Sequence, residues 1–426
     1  MKILVIGSGG REHALVWAMS KSPRLSELGS ELICAPGNGG IASLARCTPV
    51  DVSSVPAMIA LVQSEQPALV VIGPEVPLAA GIVDALHTLG IPVFGPTQAA
   101  AQLESSKAFA KHFMQRWLIP TARYTVCKSL AEVATALAAF PPQVVLKADG
   151  LAAGKGVILC QSHAEAAATA AQLLNGTLLG TAAESIVLEE TLTGPEISYF
   201  ALCDGEHAVT LAFAQDHKRI GEGDTGPNTG GMGAYSTENL VTPEMAEWMR
   251  THIAQRVVDG MKAEGAPFVG VLFTGFMMTP AGPMVLEFNT RFGDPETEAI
   301  LMRLETDLVE LILASVEGRG LSIPVRLKPG ASACVIAASA GYPGPHTQGR
   351  PISGLDDVPS SVQVFHAGTA FKEDELVTAG GRVLAVTAVG TDLATALQQV
   401  YAALDVIAFE GMQFRRDIGW RALAER

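Results

Sequence analysis

The segment Leu286-Glu287-Phe288-Asn289-Thr290-Arg291 carries residue types suited to phosphate chemistry. On a strand, Glu287, Asn289 and Arg291 point to one face while Leu286 and Phe288 turn to the core. A carboxylate and an amide oxygen two residues apart can ligate one Mg2+, which takes hard oxygen donors together with phosphate. Arg291, one step further along, offers a planar fork to a phosphoryl group. An exposed alternating strand is the plain alternative, but Asn and an Arg two residues before Gly293 are poor choices for one. Gly293-Asp294-Pro295-Glu296 then opens a helix, with Asp294 as its cap.

Lys147 ends the apolar run Val144-Val145-Leu146, a setting in which a cation needs an anionic partner. The loop Gly150 to Gly156 that follows fails the Walker A pattern. Only three residues separate Gly150 from Gly154, and Gly156 stands where Ser or Thr should meet the metal. With bare amides and Lys155 it suits a flap closing over phosphates; taken alone, it reads better as a surface hairpin. Gly7-Ser8-Gly9-Gly10-Arg11-Glu12 is near the dinucleotide fingerprint, but Glu12 replaces its third Gly and weakens the case for NAD. Its amides at a helix start still suit an anion, and Pro36 to Gly40 supplies a second such turn; tight turns alone are the alternative. Gln215 to Gly233 is a long polar, Gly-rich stretch that suits a zwitterion or sugar phosphate, or simply solvent. His366 reads as a packing histidine, and the cysteines as packing residues.

These residues need elements to hold them. Apolar strands at Lys2 to Ile6, Glu31 to Ala35, Ala68 to Ile72 and Ile91 to Phe94 alternate with helices at Arg11 to Ser20, Pro56 to Ser64 and Leu78 to His87. That alternation predicts a doubly wound parallel sheet with ligands beyond its carboxyl ends. A helix over Ser105 to Arg116 follows, then a hairpin of Val144 to Lys147 with Val157 to Cys160. Strands near Gly270 to Met278 and Pro283 to Asn289 precede two helices. After a linker at Pro324 to Gly330, the remainder forms a small α/β domain with strands Ala331 to Ser339 and Arg382 to Val389.

The chain has 426 residues, 48% apolar and 17% charged, enough for several domains of an α/β enzyme. Its net charge of −14 argues against a nucleic-acid or lipid-binding face. Six scattered cysteines without a CxxC pair suggest neither a zinc site nor disulfides. No apolar run approaches the ~18 residues of a membrane span, and Met1 to Gly10 is no signal peptide, so a cytoplasmic enzyme is expected.

Taken together, the chain resembles the phosphoribosylamine–glycine ligase (glycinamide ribonucleotide synthetase) family of the ATP-grasp superfamily. The resemblance rests on GSGGREHA at Gly7 to Ala14, GPEVPL at Gly73 to Leu78, SKAF at Ser106 to Phe109 and KADGLAAGKGV at Lys147 to Val157. It continues through QDHKR at Gln215 to Arg219, GPNTGGMGAYS at Gly226 to Ser236, RFGDPE at Arg291 to Glu296 and RRDIG at Arg415 to Gly419. RFGDPE and GPNTGGMGAY are the most specific of these. Thr237 in place of Pro and Ile41 in place of Thr are small departures.

The resemblance implies an α/β multidomain fold. Its N-terminal substrate domain is 1–101, its central ATP-grasp domain 102–122 and 190–326, its lid 123–189 and its C-terminal domain 327–426. It implies ATP-dependent joining of glycine to 5-phosphoribosylamine through a glycyl phosphate, in purine synthesis, by a monomer needing Mg2+ or Mn2+ and neither nucleic acid nor membrane. Lys107, Lys147 and the flap residues Gly154, Lys155 and Gly156 would hold ATP phosphates; Glu189, Glu190, Thr191, Leu192 and Glu196 would meet adenine and ribose. Glu287 and Asn289 would hold the metal, Arg291 the transferring group, and Asp216 the glycine ammonium. Gly9, Gly10, Asn38, Glu75, Lys218 and Asp294 would face phosphoribosylamine. Rival readings are a nicotinamide-dependent dehydrogenase, a silent nucleotide-binding regulator, and another ATP-grasp ligase or carboxylase of the same pathway.

Overall fold

A computed structural model describes residues 1–151, 156–180 and 183–424. Among these, Lys2–Gly7 is the middle of a five-stranded parallel sheet, flanked by Glu31–Pro36 and Arg46–Cys47 on one side and Leu69–Ile72 and Val93–Phe94 on the other. Ile3 to Ile6 are fully buried, as an apolar run covered on both faces must be. The helix expected over Leu78 to His87 is two helices, Glu75–Ala79 and Ile82–Thr88. The chain turns between them through Gly81, whose φ of 84° is left-handed and suits glycine.

Tyr124–Cys127, Ile186–Glu190, Val144–Ala148 and Val157–Cys160 form a four-stranded antiparallel sheet in that spatial order, so the expected hairpin is present. An eight-stranded sheet runs in spatial order through Gly282–Asn289, Val269–Thr279, Glu196–Asp204, Ala208–Asp216, Gly233–Thr237, Ala331–Ala338, Arg382–Gly390 and Val362–His366. Gly233–Thr237 joins its halves: it pairs with Ala208–Asp216 on one side and Ala331–Ala338 on the other. The C-terminal strands therefore extend the central sheet. The helix Glu296–Arg303 is buried along its whole length, between the first helix, Gly10–Ser20, and that sheet.

The stretch from Gln215 to Gly233 contains a small hairpin, Arg219–Gly221 with Thr225–Asn228, that spacing did not reveal. Arg415 of RRDIG fastens it. This fully buried guanidinium meets Asp417 at 2.7 Å, Asp224 at 2.9 Å and the Arg219 carbonyl at 3.1 Å. The cysteines are free and mostly buried, and no helix among the described residues is long and apolar enough to cross a membrane.

His366 is a packing residue, as expected, at the junction of the N-terminal sheet and the C-terminal strands. Its backbone N–H donates to Nδ1 of His13 at 2.7 Å, and the two rings lie 5.6 Å apart. Burial pushes His13 down to about 3, with His366 adding to the effect, and burial pushes His366 down to about 4. Both are neutral when folded, whereas each binds a proton near pH 6.5 once unfolded. Their contribution is therefore complete above pH 6.5 and is lost as pH falls toward 4, at about 1.4 kcal/mol per pH unit for each histidine. Denaturant titrations at pH 7.5 and 5 should show the lower stability at pH 5, with a smaller difference in His366→Gln. Equal pH dependence in both proteins would contradict a neutral buried pair.

Candidate active site

The strand Gly282–Asn289 lies at the edge of the large sheet, paired with Val269–Thr279. Its register slips between Gly275 and Phe276, which face Glu287 and Val285, so Leu286 is an extra, bulged residue. This corrects the simple alternation expected here: Val285 and Phe288 are buried, while Leu286 is only half-buried. The bulge has a consequence. It presents the Leu286 carbonyl to Nζ of Lys147, 2.9 Å away.

Lys147 is not the isolated cation that its apolar run suggests. Its Nζ also lies 3.1 Å from Oε1 of Glu189, whose Oε2 lies 3.1 Å from Lys111 Nζ. Lys111 in turn donates to the Thr121 hydroxyl at 2.6 Å. All three charged side chains are nearly inaccessible, and burial, with Lys147 nearby, pushes Lys111 down to about 8. The carboxylate of Glu189, a residue expected at the nucleotide, holds these two lysines. The sequence held a clue to Lys111. It stands four residues after Lys107 on one helix face, a like-charged pair that calls for an anion between or beside it.

Ser106 caps the helix Lys107–Arg116. Asp149 sits at the same helix start, accepting from the Ser106 hydroxyl at 3.1 Å, the Ala108 amide at 3.2 Å and Ser185 at 3.0 Å, where the helix dipole favours an anion. Lys107 reaches the Gly150 carbonyl at 2.9 Å, so both ends of this loop's first residues are tied to the helix. Gly156 closes the hairpin, its carbonyl accepting from Ala148 N–H at 2.8 Å. Gly154 and Lys155 lie outside the described residues. Glu190 accepts from the Arg123 amide at 2.7 Å; Thr191 has a buried hydroxyl without a protein partner among the described residues, and Leu192 is half-buried.

Around Glu287 the charges converge. Burial opposes its ionisation, but Lys218, Lys147, Lys107 and Arg291 outweigh burial and hold it below the usual carboxylate range. Among the described residues no protein group hydrogen-bonds its carboxylate, which leaves both oxygens open. Lys218 pairs with Glu196 at 2.7 Å. Asp216 lies among Lys218, Glu296, Glu196 and Glu287; burial pushes it up to about 7 in spite of Lys218, and the three carboxylates add to the rise. A cation bound there would restore its charge.

Arg291 is more enclosed than a residue on an open strand face. Its side chain is 16% exposed, with Nη2 2.8 Å from Glu104, Nε 3.4 Å from Glu75, and Nη2 donating to Asn289 Oδ1 at 3.3 Å. Glu104, missed by the sequence reading, also accepts from the Thr290 amide at 2.8 Å, and burial pushes its pKa up. Burial works against the charge of Glu75 as well, yet Arg291 and Arg11 hold that group below its usual range.

On the N-terminal side, four of the expected residues have partners within the protein. Gly9 does not offer a bare amide: Oε2 of Glu12 accepts it at 2.6 Å, and side chains at Gly7 or Gly73 would collide with Glu12. The glutamate thus fills the anion seat that a dinucleotide would need. Gly10 carries no free space either, because Glu298 packs against it. Asn38 is fully engaged, donating to the Ser8 and His366 carbonyls at 2.8 and 2.7 Å and accepting from the Gly40 and Ile41 amides at 3.0 Å. Asp294 does not cap the next helix. Pro295 precedes that helix without a side-chain cap, and Asp294 pairs with Arg382 at 3.1 Å.

Glu287 and Asn289 supply two hard oxygen donors, and no cluster of three or more metal-ligating acidic, His or Cys side chains occurs among the described residues. Two protein oxygens suit a Mg2+ that takes its remaining ligands from phosphates and water. Lys147→Ala should weaken ATP binding about tenfold or more, since a charged hydrogen bond contributes about 1.5–3 kcal/mol. Calorimetric titration of ATP checks this, and unchanged affinity would remove Lys147 from the nucleotide site.

Three family models match the chain: the phosphoribosylglycinamide synthetase N domain at residues 1–104, its ATP-grasp (A) domain at 105–297 and its C domain at 332–421. The chain is 48% identical over 431 residues to a phosphoribosylamine–glycine ligase of Xanthomonas axonopodis pv. citri, covering 100% of this chain and 98% of that one. The crystal structure of phosphoribosylamine–glycine ligase from Thermotoga maritima superposes with a TM-score of 0.87 at 34% identity, covering 98% of this chain and 100% of that chain. The biotin carboxylase domain of Hydrogenobacter thermophilus 2-oxoglutarate carboxylase, in complex with MgADP, shares the fold at a TM-score of 0.75 and 19% identity, covering 97% of this chain and 91% of that chain.

Proposed function

The chain belongs to the phosphoribosylglycinamide synthetase family, and from that premise we propose how its residues carry out ATP-dependent ligation of glycine to 5-phosphoribosylamine in purine biosynthesis. The observation that carries the reading is the ring of Lys107, Lys147, Lys218 and Arg291 around the open Glu287 carboxylate. Such a ring suits a polyanion that brings its own divalent metal.

A carboxylate is a poor acyl donor because its leaving group would be oxide, so the γ-phosphate first passes to glycine, giving glycyl phosphate. Catalysis of that step is mainly alignment and charge neutralisation. Lys107 and Lys147 hold the phosphates, Lys147 aimed by Glu189 and the Leu286 carbonyl. Glu287 and Asn289 would hold Mg2+ or Mn2+, which when bound neutralises phosphate charge. Arg291 stabilises the transferring group. Asp216, with Glu196 and Glu296 beside it, receives the glycine ammonium, and Thr191, Leu192 and the backbone of Glu189 and Glu190 line the nucleotide base. Glu75, Lys218 and Asp294 border phosphoribosylamine. The working units in this reading are residues 1–101, 102–122 with 190–326, 123–189 and 327–426, acting as a monomer in the cytoplasm.

A dehydrogenase is disfavoured by Glu12 in the glycine turn, and a silent regulator by the retained Glu287, Asn289 and Arg291. ADP release should require ATP, glycine, phosphoribosylamine and Mg2+ together. Release that is indifferent to glycine would sink the ligase reading.

A further inference from the structure

His217 lies between Asp216 and Lys218, where the chain leaves the strand Ala208–Asp216, and it is buried. On extended backbone successive side chains alternate in direction. Gln215 and His217 turn to one side, where the Tyr235 hydroxyl donates to Gln215 and the Tyr235 ring lies 6.1 Å from that of His217. Asp216 and Lys218 turn to the other, toward Glu196, Glu287 and Glu296. The group that fixes the His217 ring comes from the far end of the chain. Its Nε2 accepts from the Gly419 backbone N–H at 3.1 Å, across 202 residues of sequence. An acceptor at Nε2 puts the ring proton on Nδ1, which has no hydrogen-bond partner among the described residues. A buried donor left unpaired is a cost that an apolar side chain would avoid, so packing alone does not account for a histidine here.

The same C-terminal stretch grips the loop beyond His217. The Arg415 guanidinium reaches the Arg219 carbonyl at 3.1 Å and Asp224 at 2.9 Å, Asp417 accepts from the Gly223 amide at 2.8 Å, and the Arg416 amide donates to Glu222 at 3.1 Å. On the backbone, the His217 N–H donates to the Gly233 carbonyl at 2.9 Å and the Lys218 carbonyl accepts from the Thr229 amide at 2.7 Å. Asp216 therefore stands at the base of a segment held on one side by the central sheet and on the other by Arg415 to Gly419, which fall within the C domain at 332–421. Resting on the ligase reading above, in which Asp216 receives the glycine ammonium, we propose that His217 is a positioning residue: through its bond to Gly419 the C-terminal domain sets the place of the Asp216 carboxylate in the glycine site. Burial, then Arg415 and Arg421, push His217 down to about 4, so the ring is neutral and free to accept at neutral pH.

His217→Gln and His217→Asn separate this role from packing. Gln brings its amide oxygen near the position of Nε2 and keeps the acceptor, whereas Asn is shorter and leaves the Gly419 amide unpaired. In the full-length enzyme with Mg2+ and saturating ATP and phosphoribosylamine, His217→Asn should raise the KM for glycine about tenfold or more, because a small misplacement of a binding group is costly. The KM for ATP should stay within about twofold, and His217→Gln should bring the glycine KM back to within about twofold of wild type. A wild-type glycine KM in folded His217→Asn would overturn the proposal, as would equal losses in the two variants or a rise shared with the ATP KM, either of which marks a purely structural role. If either variant does not fold, Asp417→Asn decides, because it loosens the same clamp at a side chain that is 21% exposed. A raised glycine KM at unchanged ATP KM would then support the proposal, and a wild-type glycine KM would overturn it. Asp216→Asn tells the two readings apart: a wild-type glycine KM there refutes the glycine assignment of Asp216, whereas a raised one beside an unaffected His217→Asn refutes only the positioning role.

Discussion

Glu287→Gln should lower turnover about a hundredfold at limiting Mg2+, equivalent to about 2.7 kcal/mol at the transition state, and raised Mg2+ should recover part of the loss. The substitution keeps volume and strand position but removes the charge that competes for the metal. It removes no protein hydrogen bond, because none reaches that carboxylate among the described residues, so folding should be nearly unaffected. The variant also leaves Lys218, Lys147, Lys107 and Arg291 facing one another without their shared anion. Lys218, Lys147 and Arg291 keep their partners Glu196, Glu189 and Glu104, and bound ATP supplies the counter-charge that Glu287 gave up, so ATP affinity should fall less than turnover does. Steady-state rates across a Mg2+ series check this. Wild-type activity at limiting Mg2+ would remove Glu287 from the metal site.

Arg291→Lys should lower turnover by about two to three orders of magnitude while costing some stability, and the structure explains the second effect. On an open strand face the exchange would be harmless to folding. Here the guanidinium spans Glu104, Glu75 and Asn289 at once. A single ammonium cannot reproduce that fork. Glu104, left with only Thr290 beside it, becomes a poorly compensated buried carboxyl, a situation that costs about 1–3 kcal/mol. Loss of kcat with a modest change in the KM for ATP is the signature of a contact made in the transition state. A folded variant with wild-type kcat would show that Arg291 is purely an anchor for Glu104.

The contrast between these residues explains what could be read from the sequence. Glu287, Asn289 and Arg291 announce themselves because their spacing on one strand is a local property. The bulge at Leu286 does not, since it exists only in the register with Gly275 and Phe276. Lys147 was legible as a charge in an apolar run, but its partner Glu189 lies on a neighbouring strand and Lys111 on a helix before both. Asn38 looked available in a glycine turn until a carbonyl from His366, 328 residues away, claimed its amide. Asp294 likewise follows local capping rules until Arg382 arrives from the C-terminal strands. The parallel N-terminal sheet was legible from alternating apolar runs. The continuity of the large sheet into the C-terminal strands was not, because it depends on the five-residue strand Gly233–Thr237 in a glycine-rich stretch.

Glycine labelled with 18O in both carboxylate oxygens tests the acyl phosphate account most directly. If the γ-phosphate is transferred to glycine and then displaced by the amine, each turnover must carry one labelled oxygen into inorganic phosphate. Mass analysis of the phosphate released with ATP, phosphoribosylamine and Mg2+ should therefore show one 18O per amide formed. Unlabelled phosphate accompanying amide formation would contradict the glycyl phosphate route and the roles assigned to Arg291, Glu287 and Asn289.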